Sequence, residues 1–363
     1  MLKIFGSPGR YVQGPQATAS LGTELVRLGL TGAALIITSP TVRLKLEATW
    51  IDALSEQGIN LTIRTFSGEC SQSEIDTSVA EATACGAEVI IGAGGGKCLD
   101  TARTVAGLLD LPLVNCPSMA STDAPCAAVS VVYTEGGVYD HLVFNKRNPD
   151  LILVDTTVVA FAPVRQIVAG MGDAVATWFE ARSVIEARTT NQHHGAPTMA
   201  GGALAKLCYE TLLADGLAAR QAVEVHAATP ALERIVEANT LLSGLGFESG
   251  GLAIAHAVHN GFTTQPETHD AYHGEKVAFG LLVQLVVEGR PQHEIDEVLA
   301  FSRLVGLPVT LSEVGLSNPS SAAIAEIAER TVADGETAHN EPFAVTADMI
   351  DAGIRAADAI GRS

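Results

Sequence analysis

Between residues 33 and 155, short apolar runs alternate with stretches of helical length, and this alternation restricts the fold more than any other feature of the chain. Ala33–Thr38 is a run that ends in a turn near Pro40, as a parallel strand buried on both faces requires. A helix is expected over Thr41–Gln57, stopped by Gly58, then a strand over Ile59–Phe66. A second helix is expected over Ser73–Cys85, closed by Gly86, followed by a strand over Glu88–Ile91 and a helix over Cys98–Leu109. Further strands are expected over Pro112–Cys116, Ala128–Tyr133 and Leu151–Asp155. Repeated βαβ units imply an α/β fold with a mostly parallel sheet covered by helices on both faces. Beyond Pro163 the texture changes to long Ala- and Leu-rich segments, such as Asp173–Ala187, Gly202–Asp215 and Val277–Glu288. An all-helical second domain is therefore expected, with domains over 1–162 and 163–363. Ligands in such chains sit in the cleft between domains, beyond the strand C-termini.

The charge balance excludes several partners. The chain has 22 Lys plus Arg against 41 Asp plus Glu, a net charge of −19. That field repels phosphate backbones and anionic bilayers, so neither nucleic acid nor a membrane surface is expected as a partner. No run of 18 apolar residues occurs, and the N-terminus has Lys3 and Arg10 but no apolar segment of the signal-peptide kind; a cytoplasmic location is expected. The six cysteines contain no C-x-x-C pair, and five crowd into residues 70–126 instead of spreading as a disulfide framework. They read as small buried apolar residues.

A glycine cluster, Gly92-Ala93-Gly94-Gly95-Gly96-Lys97-Cys98, lies between a strand and a helix. Glycines let backbone N–H groups approach an anion, and the helix that follows presents its positive end. A Walker A loop would need Gly at 91 and Ser or Thr at 98, where Ile91 and Cys98 stand. The G-x-G-x-x-G fingerprint would put its third glycine at 97, which is Lys. A tight strand-to-helix turn would account for some of these glycines, but four in five residues followed by Lys97 fit a pyrophosphate-binding loop better.

Three segments offer metal ligands. Gly170-Met171-Gly172-Asp173 reads as a helix opening with Asp173 at or near the N-cap. His256 and His259 fall on neighbouring turns of an almost wholly apolar helix, where a histidine needs a carboxylate, a carbonyl or a metal as partner. His273 precedes a second apolar helix. One carboxylate and two imidazoles form a sensible set for a catalytic Zn²⁺ with its fourth position open.

Several motifs occur in order: Gly94-Gly95-Gly96-Lys97, Ser121-Thr122-Asp123-Ala124-Pro125, Gly172-Asp173, the Gly244–Gly251 run leading to His256, and His273-Gly274-Glu275. Together they resemble the glycerol dehydrogenases, part of the metal-dependent superfamily that includes iron-type alcohol dehydrogenases and dehydroquinate synthases, and the likeness covers about residues 1–360. The resemblance implies a Rossmann-like dinucleotide domain and a helical, dehydroquinate-synthase-like domain with a metal in the cleft. It implies Zn²⁺ on Asp173, His256 and His273, which also makes them catalytic, and NAD on Gly94, Gly95, Gly96, Lys97, Ser118, Ser121, Val129 and Tyr133. Asp123 matches the residue that binds substrate hydroxyls; His256, His259 and Phe247 are expected to line the substrate pocket. The implied activity is oxidation of glycerol to dihydroxyacetone, by an enzyme that assembles as a homo-oligomer, octameric among relatives.

Three positions depart from the pattern. Ser39 stands where relatives usually carry an acidic residue for the adenosine ribose, which opens the way to NADP. Ala127 stands where a serine is common among them. Thr177 occupies the place of a histidine in the iron-type enzymes, and one imidazole fewer favours Zn²⁺ over Fe²⁺. Rival readings are a dehydrogenase for another diol, polyol or hydroxyketone, a Zn²⁺- and NAD-dependent cyclase, and a non-catalytic metabolite binder. A phosphorylated substrate is disfavoured by the scarcity of Lys in the helical half.

Overall fold

The structure is a computed structural model that describes residues 1–363, the side chain of Tyr139 excepted. Its strands are β1 (Tyr11–Gly14), β2 (Ala34–Thr38), β3 (Leu61–Thr65), β4 (Val89–Gly94), β5 (Leu113–Pro117), β6 (Val129–Tyr133), β7 (Tyr139–Phe144) and β8 (Leu151–Asp155). Helices α1 (Leu21–Arg27), α2 (Pro40–Ser55), α3 (Gln72–Ala84) and α4 (Gly96–Leu109) connect the early strands. The strand order of the six-stranded sheet is β1-β8-β5-β4-β2-β3, and every pairing in it is parallel. Each residue of β2, β4 and β8 is buried, which explains why these strands read as unbroken apolar runs.

The structure corrects the expectation for Ala128–Tyr133. That strand exists as β6, but it pairs antiparallel with β7 in a separate two-stranded ribbon. Its alternating burial is that of a half-covered strand.

From Thr156 onward the elements are helical: α5 (Thr156–Ala160), α6 (Val164–Ala187), α7 (Met199–Glu224), α8 (Pro230–Glu237), α9 (Ser243–Gly250) and α10 (Ile254–Phe262). They are followed by α11 (His273–Val287), α12 (Gln292–Val305), α13 (Ser321–Thr331) and α14 (Ala347–Arg362). A π-turn, Ala238–Leu242, joins α8 to α9. The largest apolar cluster lies among these helices, and two smaller clusters cover the two faces of the sheet. Four cysteines are buried and two half-buried, and all six are free. No single helix among the described residues is long and apolar enough to cross a membrane.

Asp173 is not at a helix opening. Helix α6 begins at Val164, nine residues earlier, with Pro163 setting its entry. Two glycine contacts then decide where Asp173 lies. A Cβ on Gly172 would stand 2.4 Å from the Gly274 carbonyl oxygen, and one on Gly274 would stand 1.9 Å from the Ala169 carbonyl oxygen. These glycines let α6 and α11 cross backbone to backbone, and so bring Asp173 beside His273.

Candidate metal and dinucleotide site

Asp173 on α6, His256 on α10 and His273 at the first position of α11 converge, with one ligand atom from each lying within 4.8 Å of the others. Both imidazoles present Nε2 to the same oxygen: His273 lies 3.2 Å and His256 3.3 Å from Asp173 Oδ1. Asp173 Oδ1 is fully buried and has no hydrogen-bond partner among the described residues. An orphaned carboxylate oxygen facing two imidazole nitrogens is a donor set that fits a divalent cation.

The electrostatics follow from that crowding. Burial alone would raise the Asp173 carboxyl, but His273 and then His256 hold it well below the usual carboxylate range. Burial works against charge on His256, yet Glu180 and Asp173 raise it well above the ordinary imidazole value. His259 moves the other way, lowered by burial and then by its neighbours His273 and Lys276.

Each imidazole is held from behind. His256 Nδ1 is 2.6 Å from Glu180 Oε2. His273 Nδ1 is 3.1 Å from His259 Nε2, and His259 Nδ1 is 3.1 Å from Asn260 Oδ1. His259 therefore stands behind a ligand candidate. The entry to α11 is fixed by Glu275, which accepts from the Tyr272 N–H at 2.7 Å and pairs with Arg165.

Asp123 lies against this cluster. Its backbone N–H donates to Asp173 Oδ2 at 3.2 Å, and its own Oδ2 accepts from Ser243 at 2.7 Å. Ser243 in turn shares a 2.8 Å hydrogen bond with Thr177. Thus Thr177 contributes a hydroxyl to the hold on Asp123. Burial, then the charge of Asp173, raises the Asp123 carboxyl well above its ordinary value. Phe247 is buried on α9 and belongs to none of the three packed apolar clusters.

The glycine cluster sits where a phosphate-cradling turn belongs. Gly94 ends β4, Gly95 is extended, and α4 begins at Gly96, so the unpaired N–H groups of its first turn face the end of the sheet. Lys97 Nζ is 2.6 Å from Glu69 Oε2 and 4.7 Å from the centre of the Tyr133 ring. The Ser118 N–H donates to Gly94 O at 3.0 Å, while the buried Ser118 hydroxyl has no partner among the described residues. Ser39 lies at the end of β2 beside this turn, its nitrogen 3.8 Å from where a Gly94 Cβ would be. Ser121 and Val129 are half-buried and Ala127 is buried; the Val129 carbonyl accepts from Arg103 at 2.8 Å. A cleft of about 120 Å³ opens nearby, lined by Thr41, Lys45, Ser118, Met119 and Phe161. Arg43 faces away, bonded to Glu47 and Thr65.

Sequence reasoning missed Glu180, Ser243 and Asn239. A signal existed for Glu180, which follows Asp173 by seven residues and so shares its helix face. Asn239, on the π-turn, donates to the carbonyls of Ala120 and Ile167 at 3.0 and 3.2 Å, tying the loop before Asp123 to α6; nothing local in the sequence marks it.

A family model described as iron-containing alcohol dehydrogenase matches residues 8–156. The chain is 47% identical to a glycerol dehydrogenase of Citrobacter freundii over 362 residues, covering 100% of this chain and 99% of that one. It is 46% identical to a glycolaldehyde reductase of Halobacterium salinarum, again over 362 residues and covering 100% and 99%. The crystal structure of glycerol dehydrogenase from Schizosaccharomyces pombe superposes with a TM-score of 0.95 at 37% identity, covering 99% of this chain and 91% of that one.

Proposed function

Since the chain belongs to the iron-containing alcohol dehydrogenase family, we propose that this oxidoreductase oxidises glycerol at C2 to dihydroxyacetone, using NAD and a divalent metal, Zn²⁺, on Asp173, His256 and His273. The observation that carries the reading is the orphaned Asp173 Oδ1 facing two imidazole Nε2 atoms. When bound, the cation supplies the Lewis acidity that eases loss of a hydroxyl proton near neutral pH, and the nicotinamide supplies the hydride acceptor.

The chain's own groups do the rest. Asp123 is the substrate-holding group, with one carboxyl oxygen fixed by Ser243 so that the other can engage a substrate hydroxyl. Phe247 adds an apolar wall that excludes water from the reacting carbon. Gly94–Lys97, where β4 gives way to α4, would hold the pyrophosphate, since N–H groups and the helix end there favour an anion. Lys97 is already paired with Glu69, so backbone groups carry most of that contact. Ser118, Ser121, Ala127, Val129 and Tyr133 complete the cofactor wall. In this reading residues 1–162 hold the dinucleotide and lend Asp123 to the substrate, while 163–363 hold the metal and the rest of the substrate pocket, a division supported by the change from strand to helix between Asp155 and Val164. Ser39 brings no negative charge to the ribose, and Lys45 lines the neighbouring cleft, so NADP should be accepted beside NAD.

A second reading, reduction of a small hydroxyaldehyde, is favoured by the similarity to the Halobacterium enzyme. Steady-state rates for Zn²⁺-loaded protein with glycerol, other vicinal diols, dihydroxyacetone and glycolaldehyde, each with NAD(H) and NADP(H), test both. The proposal expects the highest kcat/KM in oxidation for glycerol with NAD. A kcat/KM for glycolaldehyde reduction far above that for dihydroxyacetone would favour the second reading, and no coenzyme turnover with any of them would end both.

A further inference from the structure

Glu180 is a carboxylate with no exposed surface, buried on α6 two turns beyond Asp173. Among the described residues no Lys or Arg is paired with it; the titratable side chain against it is the His256 ring. An isolated carboxylate is costly to bury, so the groups that face it must compensate. Three N–H donors do so. Oε1 accepts from the Ala253 N–H at 2.8 Å and the His256 N–H at 3.1 Å, and Oε2 faces His256 Nδ1 at 2.6 Å. One side chain therefore grips both the opening of α10 and the ring of its His256. His273 is backed differently, by a line of neutral groups through His259 and Asn260.

We propose that Glu180 is a positioning residue for His256, its carboxylate holding the ring with the proton on Nδ1 and the Nε2 lone pair turned toward Asp173 and His273. A carboxylate has only acceptors, so it fixes this tautomer; a neutral amide does not. In Glu180→Gln the amide oxygen can keep the two backbone N–H groups, but its NH₂ then donates to Nδ1. The ring proton moves to Nε2, the nitrogen the metal needs. Shape is conserved and the ligand is weakened.

The inference rests on the reading that Asp173, His256 and His273 hold the metal. Zn²⁺ affinity measured by competition with a chromogenic chelator tests it, alongside the melting temperature of the metal-free protein. Glu180→Gln is expected to weaken Zn²⁺ binding by about 10- to 100-fold, the usual effect of losing a group that orients a metal ligand. A lower metal-free melting temperature with Zn²⁺ affinity within twofold of wild type would reduce Glu180 to a helix-capping group and overturn the proposal. Should Glu180→Gln fail to fold, Glu180→Asp carries the test: it keeps the charge but draws the oxygens back from the ring, so weakened affinity supports the proposal and affinity within twofold overturns it. A wild-type chain that binds no Zn²⁺ would overturn the metal reading itself, an outcome distinct from equal binding by wild type and variant.

Discussion

Gly274→Ala addresses the contact on which the whole site depends. The added methyl would sit 1.9 Å from the Ala169 carbonyl oxygen and 2.8 Å from the Asp173 nitrogen, both backbone atoms that no rotamer change can move. Restoring an ordinary 3.4 Å contact requires α11 to retreat from α6 by about 1.5 Å. His273 is the residue before Gly274 and travels with it, while Asp173 stays on α6. Zinc–ligand bonds tolerate only about ±0.2 Å, so the retreat exceeds that tolerance several times over. The predicted result is a folded protein that has lost roughly 1–3 kcal/mol to overpacking and binds less than about a tenth of the wild-type metal. Glycerol turnover should fall by at least about 10²-fold. Gly14→Ala is the matched control, since its Cβ would meet nothing within 4 Å. Elemental analysis after gel filtration, thermal melting and NADH formation together check the prediction. Wild-type metal content and turnover in Gly274→Ala would refute the claim that the α6–α11 crossing sets the ligand geometry.

Four further outcomes follow from the same structure. Asp123→Asn should raise KM for glycerol by about 10-fold or more with metal content unchanged, because it replaces a carboxyl oxygen that engages the substrate hydroxyl; loss of metal in that variant would instead mark Asp123 as a structural group. Ser243→Ala releases the hold on Asp123 and should also raise KM for glycerol while sparing KM for NAD, measured in the same initial-rate series. Ser39→Asp should raise the NAD-over-NADP ratio of kcat/KM by roughly 10-fold, and an unchanged ratio would show that Ser39 does not face the ribose. The Glu341 carboxyl is pushed up to about 8, first by burial and then by the charge of Glu288. The native chain therefore keeps a proton there that the unfolded chain releases above about 4.5, so this group's contribution to stability declines as pH rises through that window and is gone above 8. Melting curves from pH 5 to 9 should show wild type losing stability relative to Glu341→Gln.

Much of this architecture is legible in the residues because burial writes itself into composition. Ala34–Thr38 and Val89–Gly94 are covered on both faces, so they appear as unbroken apolar runs bounded by turns. The ribbon strand Val129–Tyr133 has much the same composition but different partners, and partners are long-range information that a local run does not carry. Asp173 shows the complementary limit. The glycines around it resemble a helix opening, yet their purpose is close approach: a Cβ on Gly170 would lie 1.9 Å from the Ala120 carbonyl oxygen, and Gly172 meets Gly274. Small residues chosen for helix crossing and small residues chosen for turns look alike in one dimension. The candidate ligands were visible because Asp and His are costly to bury without a partner. Ser243 and Asn239 were not, because hydroxyls and amides are common and only their three-dimensional partners give them a role.

The most direct test of the central claim is a calorimetric titration of Zn²⁺ into chelated protein, with NAD-linked glycerol oxidation followed on the same samples. The expected result is one tight Zn²⁺ per chain, activity that returns in proportion to occupancy, and loss of both in His256→Ala. A His256→Ala protein with near-normal metal content and turnover, or full glycerol oxidation by the chelated wild type, would contradict it.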